Sequence, residues 1–378
     1  MKKVLLIHNL YRNFGGEDAA VNGDEKLLKK KYDVHKIIFD NSDKINFFDF
    51  INFLFLTNPK SNKLLEKKIK ESRPDAIYIH NLWFKGSLGL LKVAKRYQIP
   101  IVLKIHNFRY LCSNKFLSKN HIVNKEFCPA CGASKRLFFN KYFEESYIKS
   151  FFSIRFSKKL LKLIKNSKSL NILLLTEHHK NILLNEKIEN KRIFIMPNYI
   201  ENSSTTSLSK EDSFLYAGRI SNEKGVKQII ESFLKINMKN YILNIIGTGP
   251  QLQTLKDQYK SQKIIFHGFM DNKDVINEIK KAKVVISATK LYEGQPTLLC
   301  EATMNYIPVI FPNSGGINEF LPKNYKFLYE QFNYTEMQKA MVDIISSDHY
   351  KIGKENKNYL VHYINEKSLL ETFALAIS

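Results

Sequence analysis

Short apolar runs alternate with amphipathic stretches along nearly the whole chain, and no other feature of the sequence restricts its fold so strongly. Residues 4–8, 76–80, 101–106, 171–176 and 192–196 read as buried strands, with a helical stretch over 88–97 and a polar helix after 176. A second set follows: strands at 214–217, 242–246, 264–267, 284–287 and 309–311, and helices at 226–234, 252–260, 273–281 and 296–305. This is the pattern of strand–helix units wound around a parallel sheet. Pro197-Asn198 and the Ser/Thr-rich stretch 200–213 between the two sets carry the signal of a linker. The expected organisation is an N-terminal α/β domain over 1–197, a second over 198–358 and an amphipathic C-terminal helix within 359–378. Ligands of such sheets bind at the carboxyl ends of the strands, so the residues there decide function.

A length of 378 residues fits two domains. An apolar fraction of 44 % with 12 % aromatics excludes disordered, collagen-like and coiled-coil chains. No apolar run reaches the length of a membrane-spanning helix. The start, Met1 to Asn9, has too short an apolar core and no cleavage site for a signal peptide, so a cytoplasmic location is expected. Four cysteines do not make a disulfide framework in a chain this long.

The charge is uneven. Residues 1–200 hold 38 basic and 17 acidic side chains, the remainder 21 and 19, within a total of +23. Lysine is abundant in both halves, but only in the second do acids offset it. The densest segment, 135–168, carries ten basic residues and two acids, with Phe138, Phe139, Tyr142, Phe143, Tyr147, Phe151, Phe152 and Phe156 interleaved. A basic face beside an aromatic face suits a helix lying on an anionic bilayer. The alternative is a surface helix whose aromatics face the core. The apolar stretch 45–56 poses the same choice, with core packing ahead.

In the second half, Gly218-Arg219 and Lys224-Gly225 bound a loop after a strand, where a guanidinium and an ammonium together can neutralise a diphosphate. After the strand at 284–287 comes Tyr292-Glu293-Gly294-Gln295-Pro296-Thr297, with Glu301 eight positions after Glu293. Pro296 suits the first position of a helix. The free amides of that helix N-terminus, next to Gly294, can approach phosphate oxygens. Glu301 then lies about 7.5 Å further along the axis, in reach of a ribose.

Together with Gly247-Thr248-Gly249-Pro250, Phe266-His267-Gly268-Phe269, Pro308-Val309-Ile310 and Gly315-Gly316-Ile317-Asn318-Glu319, these elements resemble the donor domain of retaining GT-B glycosyltransferases of the family 4 type, over residues 192–325. The resemblance implies two Rossmann-like domains facing each other across a cleft, the C-terminal helix crossing back to the first. It implies that Arg219 and Lys224 bind the donor diphosphate, that Glu301 bonds the ribose, and that Glu293, with Gly294, Gln295 and Thr297, holds the donor sugar; Gly249 is placed on the donor side as well. Catalysis then needs no metal or other cofactor, because cations and a helix terminus stabilise the leaving diphosphate. A UDP-sugar is the first expectation for the donor and a GDP-sugar the second.

In the first half, Gly15-Gly16 with Glu17 follows the first strand, and paired glycines there permit close backbone approach. By resemblance this loop closes over the donor phosphates and the acceptor. His106-Asn107-Phe108-Arg109 ends another strand and is similar to a His-Asn-aromatic-Arg element of a polysaccharide-building subset, whose His lies beside the transferred sugar. Glu293 and His106 are therefore the catalytic candidates, Glu17, Asn107 and Arg109 belong to the acceptor side, and His8 and His80 rank behind them. Cys112, Cys128 and Cys131 make three thiols able to bind a structural zinc with a fourth ligand; no cysteine follows in 136–143, and His121 could substitute, although nothing in the sequence requires it.

The expectation is an enzyme transferring a hexosyl group, with retention of configuration, to a polyprenyl-diphosphate-linked or other lipid-linked glycan, or to a growing one, in lipopolysaccharide or capsule synthesis. It would rest by residues 135–168 on the anionic inner face of the cytoplasmic membrane. A GT-B nucleotide-sugar 2-epimerase is the nearer rival. A basic nucleic-acid-binding protein is the more distant one, and no nucleic-acid motif supports it.

Overall fold

In the computed structural model the chain divides into two units, Met1–Tyr199 with Ile364–Ser378, and Ile200–Tyr363. The structure describes residues 1–11, 15–41, 47–111, 141, 146–201, 210–236 and 238–378.

The first unit is built on six parallel strands, β1 (Lys3–Leu10), β2 (Asp33–Asp40), β3 (Ala76–Ile79), β4 (Ile101–Ile105), β5 (Leu170–Leu174) and β6 (Ile193–Ile195), in the order β2-β1-β3-β4-β5-β6. Val4 pairs with Val34 on one side and Ala76 on the other. Strands covered on both faces must be apolar throughout, and β3 and β4 are buried at every position. The helices are α1 (Gly16–Leu28), α2 (Phe47–Leu54), α3 (Pro59–Ser72), α4 (Gly89–Arg96), α5 (Tyr147–Asn166) and α6 (Glu177–Asn185). The starts of α3, α5 and α6 follow from side chains that accept otherwise orphaned amides: Asn58 from Lys60 and Ser61, Ser146 from Lys149, Thr176 from His179.

The second unit repeats the design with β7 (Glu211–Ala217), β8 (Ile242–Ile246), β9 (Ile264–Gly268), β10 (Ala282–Ile286), β11 (Val309–Asn313) and β12 (Leu328–Glu330), all parallel, in the order β12-β11-β10-β7-β8-β9. Its helices are α7 (Val226–Ile236), α8 (Leu252–Gln258), α9 (Asn272–Lys281), α10 (Thr297–Met304), α11 (Tyr334–Ile345) and α12 (His349–Tyr363). The strand order reverses between β1 and β3 in the first sheet and between β7 and β10 in the second. Crevices at such reversals are where open α/β sheets take their ligands. No helix among the described residues is long and apolar enough to cross a membrane.

Three expectations need correction. The single helix within 359–378 is two, α12 and α13 (Glu366–Ala376), because Asn365 leaves helical geometry and caps the second through Ser368 N. Only α13 belongs to the first unit, where the fully buried Phe373 ring meets Tyr32 at 5.4 Å and Tyr78 at 5.0 Å. Strand β7 begins at Glu211, three residues inside the expected linker. Pro296 is extended and precedes the helix as its cap residue, so α10 starts at Thr297.

The aromatic set of α5 also divides. Phe156 is buried and Phe152 partly so, both packed on Phe53, while Tyr147, Ile148 and Phe151 are exposed. Ile148, Phe151, Arg155, Lys158, Lys162 and Lys165 share one exposed face at helical spacing, apolar at its start and cationic beyond. Apart from Lys141, the part of the basic segment before Ser146 lies outside the described residues, as do Cys112, His121, Cys128 and Cys131 of the candidate zinc site.

Candidate active site

In the second unit the site is formed by the two loops that leave the reversal point. The loop after β7 carries Arg219 and Lys224; that after β10 carries Thr289 and Glu293. Lys224 Nζ lies 2.8 Å from Glu293 Oε1, and the Thr289 hydroxyl donates to the same oxygen at 3.1 Å. Burial would raise the Glu293 carboxyl, but the Lys224 ammonium and these two hydrogen bonds outweigh it and hold the acid below its usual range. The loops are also tied by Lys290, whose amide donates to Glu223 O and whose ammonium reaches Asn222.

Glycine is obligatory where these loops touch their neighbours. Gly225 has φ +70 and any Cβ would overlap the Ala288 carbonyl; Gly315 has φ +63 and its Cβ would overlap the carbonyl of Glu293 itself. Gly316 N then donates to that carbonyl at 3.0 Å, so the Glu293 backbone is fixed from two directions. Gly249 similarly abuts the Ile220 carbonyl, so close chain packing accounts for this glycine within the fold.

Arg219 is exposed and has no side-chain partner among the described residues. Gly294 and Gln295 are buried before α10, and the Gln295 amide reaches the Cys300 thiol at 3.6 Å. Burial pushes that thiol up to about 12, which makes it unreactive at neutral pH. No side chain caps α10, so the first amides, beginning at Thr297, keep their donor capacity. One turn on, Glu301 accepts from Asn272 of α9 at 3.0 Å. Burial raises the Glu301 carboxyl to about 7, and the Asn272 bond offsets this only in part. At β9 the pairing register slips past His267, whose Nε2 lies 2.8 Å from Asn244 Oδ1.

In the first unit three histidines converge at the strand ends. His8 Nε2 lies 2.9 Å from Asp18 Oδ1, and the other oxygen of Asp18 accepts from Gly15 N at 2.8 Å. Asp18 thereby pins the Gly15-Gly16 turn, from which α1 starts, to β1. His80 Nδ1 lies 2.8 Å from His106 Nε2, with the rings stacked at 5.1 Å. The His8 ring is 6.1 Å from that of His80. Glu17 accepts from Tyr11 at 3.0 Å and from Asn107 at 3.3 Å, while Arg109 contacts Tyr11. Burial raises the Glu17 carboxyl, with His8, Arg109 and the Tyr11 bond opposing. Glu17, Asn107 and Arg109, separate in sequence, thus form one polar cluster beside the histidines.

Sequence reasoning passed over the group beneath them. Lys104, in the middle of β4, is fully buried and lies 2.6 Å from Asp24 Oδ2 of α1; the Tyr78 hydroxyl donates to that oxygen, also at 2.6 Å. A lysine inside an unbroken apolar strand was the available signal, since such a charge requires a buried counter-charge.

The family model "Glycosyl transferases group 1" matches residues 198–361. The amylovoran biosynthesis glycosyltransferase AmsD of Erwinia amylovora is 22 % identical over 326 residues, 82 % of this chain and 80 % of that one. Among solved structures, Anabaena Alr3699/HepE in complex with UDP-glucose superimposes with a TM-score of 0.68 at 14 % identity, covering 99 % of this chain and 98 % of that one. TarM of S. aureus gives 0.64 at 18 % identity over 84 % of this chain. The chain spans somewhat over half of TarM, 57 %. Two parallel six-stranded sheets with flanking helices have the GT-B fold of these neighbours. The stretch matched by the Glycosyl transferases group 1 model, residues 198–361, holds the Lys224–Glu293 pair and the uncapped start of α10.

Proposed function

We propose that the protein is a glycosyltransferase that moves a sugar, with retention of configuration, from a nucleotide-diphosphate sugar to a lipid-linked or growing oligosaccharide of a cell-surface polysaccharide. The observation that carries this reading is the Lys224–Glu293 pair at the strand-order reversal, beside the uncapped N-terminus of α10. Lys224 and Arg219 are the cations for a leaving diphosphate, and the α10 amides add fixed dipoles that need no reorganisation as charge develops. Glu293, kept ionised by Lys224, positions hydroxyls of the transferred sugar. Glu301 takes the ribose, and the first unit supplies His106 and the Glu17–Asn107–Arg109 cluster toward the acceptor. A uridine donor is the first choice, in keeping with the UDP and UDP-glucose held by HepE.

Calorimetric titration of UDP, GDP and ADP tests the donor site directly. UDP binding alone is expected, and binding of none of the three sinks the reading. Glu301 gives a second handle. Because burial raises its carboxyl to about 7, it is largely protonated at pH 6 and largely ionised at pH 8. Ribose hydroxyls donate more strongly to a carboxylate, so UDP affinity should rise about fivefold across this interval. The Glu301→Gln variant should lack that component and retain only the titration of UDP's own phosphate. Equal pH dependence in the two proteins removes Glu301 from the ribose site. Product analysis with and without a lipid-linked acceptor separates transfer from epimerisation.

The acceptor's lipid calls for a membrane-facing surface, and we assign it to α5 at the cytoplasmic face. Tyr147, Ile148 and Phe151 are 52 %, 61 % and 45 % exposed at its start, and Phe48 within α2, the helix packed on α5 through Phe53, and Phe55 just after it are each 70 % exposed. The cations further along α5 then meet anionic headgroups. Co-sedimentation with phosphatidylglycerol vesicles, weak with phosphatidylcholine, is the expected result. Ile148→Ser with Phe151→Ser should weaken it about tenfold or more, given the apolar area withdrawn from the bilayer. Undiminished binding by this variant excludes the first turn of α5 as the contact.

A further inference from the structure

Beneath the first unit's histidines lie buried charges that face the histidine pair. Asp24 Oδ2 receives two short bonds, from Lys104 and Tyr78, and lies 3.8 Å from His80 Nε2. All four of these side chains are buried. The other nitrogen of His80 is 2.8 Å from His106 Nε2, and His106 Nδ1 is buried with no hydrogen-bond partner among the described residues.

Two protonation patterns satisfy the short His80–His106 contact, and the surroundings distinguish them. If His80 carried its proton on Nδ1, its bare Nε2 lone pair would face a carboxylate oxygen. With the proton on Nε2, an N–H dipole faces that oxygen instead. At 3.8 Å this is no hydrogen bond, but in a dry interior the field of a carboxylate acts strongly on a neighbouring dipole. His80 Nδ1 then is the acceptor, so His106 must donate from Nε2 and keep Nδ1 bare. We propose that Asp24, held by Lys104 and Tyr78, fixes the tautomer of His106 through His80. His106 thereby keeps Nδ1 as a bare acceptor, with its proton directed at His80.

Both rings are neutral at physiological pH. Burial, reinforced by Lys104 and His8, holds His80 well below the usual histidine range; burial and then His80 and Lys104 do the same for His106. The groups around the pair are Lys104, Asp24, Tyr78 and the His8–Asp18 couple, and Asp24 is the anion facing the His80 nitrogen that decides the pattern. Asp24, Lys104, Tyr78 and His80 are positioning residues in this scheme. The inference rests on the placement of His106 under Proposed function and deepens it by naming what sets its chemistry.

The test is nitrogen NMR of the full-length, ligand-free protein with labelled histidine, the signals assigned through His80→Gln and His106→Gln. Both rings are expected as neutral Nε2–H tautomers. A His106 protonated on Nδ1 overturns the proposal. Because a lone Asp24 or Lys104 variant would leave a buried charge and is poorly suited to this experiment, the comparison is the triple variant Asp24→Leu, Lys104→Met, Tyr78→Phe, which removes the whole polar group. There the Nδ1–H form of His106 should become populated, and kcat should fall on the order of tenfold with KM for the donor little changed. Unchanged tautomers, or unchanged kcat, in the folded triple variant also overturn it. A protein that binds no nucleotide but shows the expected tautomers would contradict the transferase reading and leave this one standing.

Discussion

Replacing Lys224 by alanine should lower sugar transfer by about two to three orders of magnitude, the range seen when one preorganised donor to a developing oxyanion is removed. Two effects combine. The leaving diphosphate loses an ammonium, and Glu293 loses the cation that keeps it ionised against the pull of burial. With Lys224 gone the Glu293 carboxyl must move upward, so the residual activity should climb with pH more steeply than that of the wild type. Lys224→Arg restores charge but not shape at the 2.8 Å contact and should recover only part of the rate. The measurement is steady-state transfer from a UDP-sugar to extracted lipid-linked acceptor, with UDP titration of each variant alongside. Wild-type turnover by Lys224→Ala would remove the diphosphate role and, with it, the proposed function. Loss of turnover with unchanged UDP affinity would instead confine Lys224 to the transition state, where catalytic binding energy belongs.

The second large effect is on stability. Lys104 and Asp24 are both fully buried, and cutting either one leaves the other as an uncompensated charge. Burial already pulls the Lys104 ammonium below its ordinary range, with Asp24 drawing it back. Asp24→Ala or Lys104→Ala should cost about 3–5 kcal/mol. That corresponds to a fall of roughly 10 °C in the melting of the first unit. The triple change to Leu, Met and Phe leaves neither an orphan charge nor an unpartnered Tyr78 hydroxyl, and should stay within about 2 kcal/mol of the wild type. Denaturant unfolding followed by the single tryptophan, Trp83, packed in the first unit's core, reads this directly. Single variants that melt like the parent would mean the pair is hydrated in solution, and the tautomer argument would lose its dry setting.

These residues also show what a sequence discloses. The buried strands were legible because two-sided coverage leaves unbroken apolar runs, as in Ile242–Ile246, where expectation and structure coincide. Strand β2 was not, since His35 and Lys36 interrupt its pattern and several of its positions remain half open on the sheet edge. The loop residues Arg219, Lys224 and Glu293 stood out because Gly and Pro stand beside them, and Glu301 because it follows Glu293 on the helix that Pro296 introduces. Their partners did not: Thr289 and Asn272 are ordinary polar residues until folding places them at Glu293 and Glu301. Asp24 sits 80 positions from Lys104, and pairing at that separation is a product of the wound topology rather than of any local spacing. The aromatics of α5 left two readings open, because helical periodicity alone cannot distinguish a ring packed on Phe53 from one facing water.

Since Ile364–Ser378 completes the first unit while Ile200–Tyr363 forms the second, the second unit is threaded between two pieces of the first. On the ribosome the order of completion is therefore inverted. The second unit has all its residues while the earlier-made one still lacks α13, and with it the Phe373 ring that packs against Tyr32 and Tyr78. Until α13 emerges, the surface that Phe373 and Leu369 will cover stays open, and a chain stalled near residue 364 would present a finished second unit beside an unfinished first.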